Sequence, residues 1–201
     1  MPYKDTYNRL KELVFNPFDA WNRIASEPAD IRKMITVYLF QLVLAYLIAA
    51  LLGNILFTND ITHSLLFKIL RVFGTIAVLI LFLIVSYVSV RKLMSKLEIP
   101  CIKKDLFKVI FYANMVIWFT AILAAILANY KMLVRFLYAF SLYGYFHFWT
   151  GSEAVLKPAA EKKRSFYAWS FVILAVLYTV LNALLHEAIS TIVVTTEVFK
   201  L

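Results

Sequence analysis

Apolar residues in this chain occur in long runs separated by short polar segments. A helix needs about 20 apolar residues to cross the roughly 30 Å hydrocarbon layer of a bilayer, because every backbone amide must be bonded within its own segment. Five runs reach this length, and none shows the alternation of a β-barrel strand. The pattern predicts an all-α, polytopic membrane protein with five transmembrane helices, at about residues 34–57, 65–90, 109–128, 132–150 and 166–185.

Residues 1–33 precede the first run and are predicted to form a cytoplasmic amphipathic preface, leaving residues 34–201 as one transmembrane domain. Apolar side chains recur in the preface at helical spacing, opposite a charged side. Asn16-Pro17 predicts a turn, after which Phe18 and Trp21 begin a second apolar stripe. Such stripes either lie on the lipid headgroup layer or pack on the ends of the spans, and the sequence is consistent with both.

Composition and charge support this class and predict its orientation. Hydrophobic residues make up 63% of the chain, and the mean hydropathy of +0.78 excludes a soluble domain built around one core. Of 21 Lys and Arg residues, sixteen lie in the N-terminal segment or after the second and fourth runs, where cytoplasmic loops would be. The N-terminus is therefore predicted inside and the C-terminus outside. The net charge of +9 indicates contact with anionic lipid rather than nucleic acid.

Residues that could carry catalytic or metal chemistry are sparse. The chain has one Cys, three His and four Gly. His186-Glu187 lacks the second histidine of a HExxH zinc motif, and the sequence contains neither a Gly-rich phosphate loop nor a nucleophile-elbow serine. We therefore predict that the protein is not an enzyme and uses no cofactor or metal.

Polar and small residues inside the apolar runs give some indication of how the helices pack. Polar side chains within spans usually bond across helices, although they can also line a path for a substrate. Small residues at intervals of four let helices approach closely, so the first and third spans are expected to pack tightly, in one bundle or across a homodimer. The small residues are Ala45, Ala49 and Gly53 in the first span, and Ala121, Ala124, Ala125 and Ala128 in the third.

Two stretches resemble a known family. Asn16 to Ile24 reads NPFDAWNRI, and Ser141-Leu-Tyr143-Gly-Tyr145 leads through Gly151 to Glu153-Ala-Val-Leu156, a basic loop and the last run. This order resembles the Yip domain, found in Ypt/Rab-interacting membrane proteins, in the form seen in bacteria. The resemblance implies five spans with the N-terminus inside and the C-terminus outside.

The resemblance also implies a type of function. The eukaryotic relatives lie in early secretory membranes, contact prenylated small GTPases and vesicle-coat factors, and influence membrane shape. Their short N-terminal motif of acidic, aromatic, glycine and proline residues does not precede Asn16 here. The resemblance therefore implies a fold more than a particular activity.

Two functional hypotheses follow. The first is a membrane-organising or partner-recruiting protein of the bacterial inner membrane, which contacts anionic lipid or a protein partner through Phe18, Trp21, Lys103, Lys104, Lys162, Lys163 and Arg164. The alternative is a small transporter, channel or lipid-moving protein, with a polar path formed by Gln41, Asn114, His147 and Asn182.

Overall fold

Local sequence explains how the preface folds. The structure, a computed structural model, describes residues 2–56, 65–100, 102–128 and 130–198. Helix α1 spans Pro2–Phe15 and helix α2 spans Pro17–Ser26. Pro17 suits the first position of α2 because the amide that it lacks would have no partner inside the helix. Glu27 then adopts an extended backbone, as expected before Pro28.

The remaining described elements are also helices. A three-residue helix α3 opens the first span, with the Asp30 side chain accepting a hydrogen bond from the Lys33 amide at 2.9 Å. Two segments have the wider π-helical turn, Met34–Leu39 before α4 and Ser152–Leu156 after α8. The α-helices of the bundle are α3 Ile31–Lys33, α4 Phe40–Leu56, α5 Leu65–Lys96, α6 Lys103–Ile126, α7 Lys131–Phe140, α8 Tyr143–Gly151 and α9 Ala160–Val198.

Four helical stretches in the described ranges are long and apolar enough to cross a membrane: Ile31–Gly53, Phe67–Lys96, Lys103–Ile126 and Ala160–Ile192. They confirm the prediction of an all-α membrane protein. The count of five spans and the orientation remain predictions.

The fourth predicted span, residues 132–150, is divided between α7 and α8 by a turn at Ser141 and Leu142. The turn brings the Ser141 hydroxyl to 3.2 Å from the hydroxyl of Thr120 in α6. Beyond it, α8 lies so close to α6 that a Cβ on Gly144 would be 2.7 Å from Cγ1 of Ile117. Small side chains thus let the broken span pack against α6.

Helix α6 is the centre of the bundle. About two thirds of its apolar stretch is buried within the protein, against 6% for the last helix. A helix that is apolar all round and buried all round is a core helix, whereas α9 presents most of its surface to its surroundings. Helix α9 also continues unbroken past residue 185, where the last apolar run was predicted to end, to Val198.

The close approach of α4 and α6 depends on one glycine. A Cβ on Gly53 would overlap the backbone carbonyl of Ala125. On the same helices Ala49 and Ala124 are buried, while Ala128, in the turn after α6, is exposed. The structure thus brings together within one chain small residues of the first and third spans.

We expect Gly53→Ala to destabilise the protein by about 1 to 3 kcal/mol, because the backbone it would meet cannot move aside as a side chain can. Thermal unfolding in detergent, followed by circular dichroism, measures this. Gly74→Ala is the matched control, since its Cβ would meet the flexible end of Leu185 and the gain in helix propensity is similar. Equal melting temperatures for the two variants would contradict the close α4–α6 contact.

Candidate functional site

The preface packs on the bundle with one side. Leu13, Ala20, Trp21 and Ile24 are at most 1% exposed, whereas Phe18 is 65% exposed. Of the two placements consistent with the sequence, the structure shows packing on protein for this apolar stripe. Trp21, which was predicted to contact lipid or a partner, has its side chain inside the protein in this structure.

Trp21 is the main contact between α2 and the bundle. Its indole Nε1 donates a hydrogen bond to Nδ1 of His147 at 3.2 Å. Its ring meets Tyr112 edge-on, with 6.3 Å between centroids. Gly151 makes room for it, since a Cβ there would lie 2.5 Å from the indole ring. A buried tryptophan needs both a large apolar contact and a partner for its N–H, and α6 and α8 supply them here.

Lys108 of α6 forms hydrogen bonds with the C-terminal end of α2. Its side chain is 3% exposed, and its Nζ donates to the carbonyl oxygens of Ile24 at 3.0 Å and Glu27 at 2.9 Å. Asp105, one turn earlier, lies 3.7 Å from the same nitrogen. The last carbonyls of a helix have no partner within it, and a cation is favourable at this negative end of the helix dipole. Lys108 therefore adds a charged donor at the C-terminal end of α2, where the Ile24 carbonyl also accepts from the Glu27 amide at 3.3 Å.

Arg9 joins α1 to the same place. Its Nη2 donates to both carboxylate oxygens of Glu27, at 2.6 and 2.8 Å, and its guanidinium lies 5.9 Å from the centre of the Tyr112 ring. Burial by itself lowers the pKa of Arg9, but the hydrogen bonding to Glu27 and neighbouring interactions raise it above the ordinary value overall. Arg9 is therefore positively charged in the folded protein. We call Arg9, Trp21, Lys108, Tyr112 and His147, with Glu27 and Gly151, the preface dock.

Two residues that were predicted for a polar path contact the preface instead. His147 is fully buried and accepts from Trp21, and Gln41 accepts a hydrogen bond from the Thr6 hydroxyl. The other two, Asn114 and Asn182, each donate to the carbonyl one turn earlier in their own helix, at 2.8 Å. The four residues thus hold the preface or their own helices, an arrangement that does not favour a transport path.

Outside the dock, the predicted basic residues fall into two groups. Lys162 lies 3.4 Å from a carboxylate oxygen of Glu98, and Lys163 lies 2.6 Å from one of Glu153. Lys103, Lys104 and Arg164 are exposed and form no ion pair within the described ranges. The positive charges of these three side chains are therefore not neutralised by a carboxylate in the described part of the chain.

The described residues contain no group of three or more His, Cys, Asp or Glu side chains that could hold a metal ion. The densest set of polar contacts described above is instead the preface dock, which joins α1 and α2 to the bundle. A family model described as the Yip1 domain matches residues 11–182. The chain belongs to the Yip1 domain family. Neither the comparison with curated proteins nor that with solved structures gives a match.

The Yip1 domain match covers most of the preface, the first three membrane-spanning stretches and most of the last one. It begins within α1 and ends within α9, so Trp21, Lys108 and His147 all lie inside it. The resemblance predicted from NPFDAWNRI and the tyrosine-rich fourth run is confirmed. In this Yip1 domain those two stretches touch, since Trp21 comes from the first, and Gly151 from the second.

Several members of the dock could not be recognised in the sequence. Arg9 and Lys108 counted only among the predicted cytoplasmic charges, and Glu27 and Tyr112 were not predicted as site residues. A signal was present for Lys108, which follows apolar Leu106 and Phe107 and precedes the long apolar stretch from Val109. No comparable signal connects Arg9 with Glu27, because their pairing depends on how α1 and α2 fold together.

We expect Lys108→Met to loosen the preface while the bundle stays folded. Methionine has a similar length but no donor, so the carbonyls of Ile24 and Glu27 lose a charged partner at a cost of about 2 to 3 kcal/mol. Hydrogen exchange measured by mass spectrometry should show faster exchange in residues 9–27. Lys104→Met is the matched control, because Lys104 is exposed. Unchanged exchange in the Lys108 variant would show that Lys108 does not hold the preface.

Proposed function

We propose that this Yip1-domain protein organises anionic lipid at the cytoplasmic face of its membrane, through the docked preface and the exposed basic residues beside it, without catalysing a reaction. The membrane we infer is the bacterial inner membrane. A cytoplasmic or membrane protein partner, or a second copy of the chain, would then bind to a surface that already has a defined lipid composition.

The observation that carries the proposal is the orientation of the preface. Because Trp21 and Ile24 are buried, the opposite side of the preface must face outward. Tyr7, Phe15 and Phe18 lie there with exposures of 65%, 73% and 65%. Aromatic side chains favour the boundary between headgroups and acyl chains, which is where a preface at the end of a bundle would lie. Packing of the preface on the bundle is thus compatible with contact between Phe18 and the lipid interface, and supports it.

Exposed charge lies at the same end of the bundle. Lys103 and Lys104 begin the helix whose Lys108 holds α2, and Arg164 lies near the start of α9 after the short segment that follows α8. Each basic residue close to an anionic membrane contributes about 1 kcal/mol of attraction, and the effect falls off within about 10 Å at 0.1 M salt. Three exposed cations beside three exposed aromatics can therefore attract anionic headgroups and hold the acyl chains below them.

Paired cations contribute less to such a surface. Lys162 and Lys163 are half-buried next to carboxylates, so part of their field is neutralised. We therefore assign lipid attraction chiefly to Lys103, Lys104 and Arg164. This narrows the set of five basic residues that the sequence suggested.

We expect the triple variant Lys103→Gln, Lys104→Gln, Arg164→Gln to lose at least half of its enrichment in anionic lipid. The assay uses nanodiscs of phosphatidylcholine with a trace of phosphatidylglycerol carrying a fluorescent headgroup, and measures energy transfer from the protein's tryptophans. Labelled phosphatidylcholine gives the baseline. Enrichment in the unaltered protein should also fall as salt is raised.

The matched control for that assay is the double variant Arg71→Gln, Arg135→Gln. Both arginines are exposed and lie at the opposite end of the bundle, near the starts of α5 and α7. Equal losses in both variants, or no loss in the triple variant, would contradict the proposal. Phosphatidylglycerol enrichment that persists while a co-purifying protein is lost would instead indicate a protein-binding surface.

The orientation can be checked with the single cysteine. Cys101 lies in sequence between α5 and α6, on the side predicted to be cytoplasmic. We expect a membrane-impermeant maleimide to label it in inside-out vesicles and not in intact cells with sealed membranes. Labelling from outside in the unaltered protein would show that the N-in orientation is wrong. The same test on the triple variant verifies that removing basic residues has not inverted it.

A further inference from the structure

A cavity of about 100 Å³ lies inside the bundle, between α5, α6, α8 and α9. Its walls are mainly aromatic and aliphatic side chains, among them Phe82, Phe148 and Phe171. Asn114, near the middle of α6, is a polar member of the wall. The cavity is separate from the preface dock, none of whose seven residues lines it.

The break between α7 and α8 shapes this cavity. Ser141, Leu142 and Gly144, at the break, all line it. A continuous helix over residues 131–151 would present a regular surface to α6, whereas the turn ends one helix and starts another at this depth. The Ser141 hydroxyl already lies within hydrogen-bonding distance of Thr120, at 3.2 Å, and of Tyr178, at 3.5 Å.

Asn114 supplies a hydrogen-bond acceptor that the described part of the chain leaves unused. The side chain is 5% exposed, and its Oδ1 has no hydrogen-bond partner there. The orientation of the amide follows from chemistry, because Nδ2 lies 2.8 Å from the carbonyl oxygen of Ile110 and a carbonyl can only accept. Oδ1 is therefore the atom without a partner. A buried acceptor left in this state is costly, so a donor that reaches it gains more than it would in water.

We propose that this cavity binds a neutral, membrane-dissolved organic molecule no larger than one small ring, with a hydroxyl group that donates to Asn114 Oδ1. The upper limit on its size follows from the volume, since an apolar cavity of about 150 Å³ is known to stay dry and bind benzene and this cavity is smaller. Aromatic walls favour a ring, which can pack edge to face against them. Phenol-type compounds combine such a ring with one donor.

The route into the cavity leads from the lipid. Leu142 and Phe171 line the cavity and are also 63% and 42% exposed on the outside of the bundle. Phe171 belongs to α9, which is long and apolar enough to cross a membrane, and Leu142 belongs to the α7–α8 turn within the predicted apolar run 132–150. A molecule dissolved in the bilayer thus reaches the cavity sideways, without crossing the polar preface dock.

The test is fluorine NMR on the protein in nanodiscs, with p-fluorophenol and p-fluorotoluene as probes and protein-free nanodiscs as the baseline. The two probes have nearly the same shape, but p-fluorotoluene cannot donate a hydrogen bond. We expect p-fluorophenol to bind about three- to tenfold more tightly, as one net hydrogen bond allows. Asn114→Leu removes the acceptor and keeps the volume, so the preference for the phenol should disappear while p-fluorotoluene still binds.

A second variant tests the cavity without touching the acceptor. Ala175→Leu, in the cavity wall on α9, should abolish binding of both probes by filling the space. Ala168→Leu on the same helix is exposed and should bind both probes normally. Binding that is equal for the two probes in the unaltered protein, a phenol preference that survives Asn114→Leu, or binding that survives Ala175→Leu would each overturn the proposal. A failure of both probes to bind the unaltered protein would also overturn it.

Discussion

The ammonium group of Lys108 meets the constraint on which the rest of this arrangement depends. A helix that ends against a membrane bundle buries carbonyl groups that water can no longer reach, and each needs a donor. Lys108 satisfies the carbonyls of Ile24 and Glu27 at once, while its charge is favourable at the end of the α2 dipole. The Ile24 carbonyl also accepts from the Glu27 amide, so the lysine adds charge to an end that is already partly bonded. Lys108 thus works together with buried Trp21 and Ile24 to hold α2 on the protein.

Once α2 is held on the bundle, one of its sides contacts protein and the other is left exposed for contact with lipid. Trp21 provides a large apolar surface and a directed N–H toward the bundle, so the helix cannot roll about its axis. Phe18, three positions earlier, is left exposed. A preface that only floated on lipid would turn its most apolar side to the acyl chains, but here that side is already occupied. The bundle thus determines which aromatic residues remain for the membrane.

Much of the fold could be predicted from apolar run length, because the cost of unpaired amides in hydrocarbon allows few solutions. The break at Ser141 could not, since residues 132–150 are mainly apolar and contain no proline, and the neighbours of the break, Thr120 and Ile117, come from another helix. The preface dock was even less predictable from the sequence than the helix break. An amphipathic stripe has the same pattern whether it meets lipid or protein, and the basic count that predicts orientation treats buried Lys108 and exposed Lys104 alike.

Helix α8 connects the two features that the sequence did not predict. Its second residue, Gly144, lines the cavity, and its last residue, Gly151, accommodates the Trp21 ring. The helix has nine residues, so the two points are about 10 Å apart on one rigid element. The same short helix thus forms one wall of the cavity and makes room for the side chain that holds α2. The break that starts α8 at Tyr143 is therefore part of the architecture of both features and not a local irregularity.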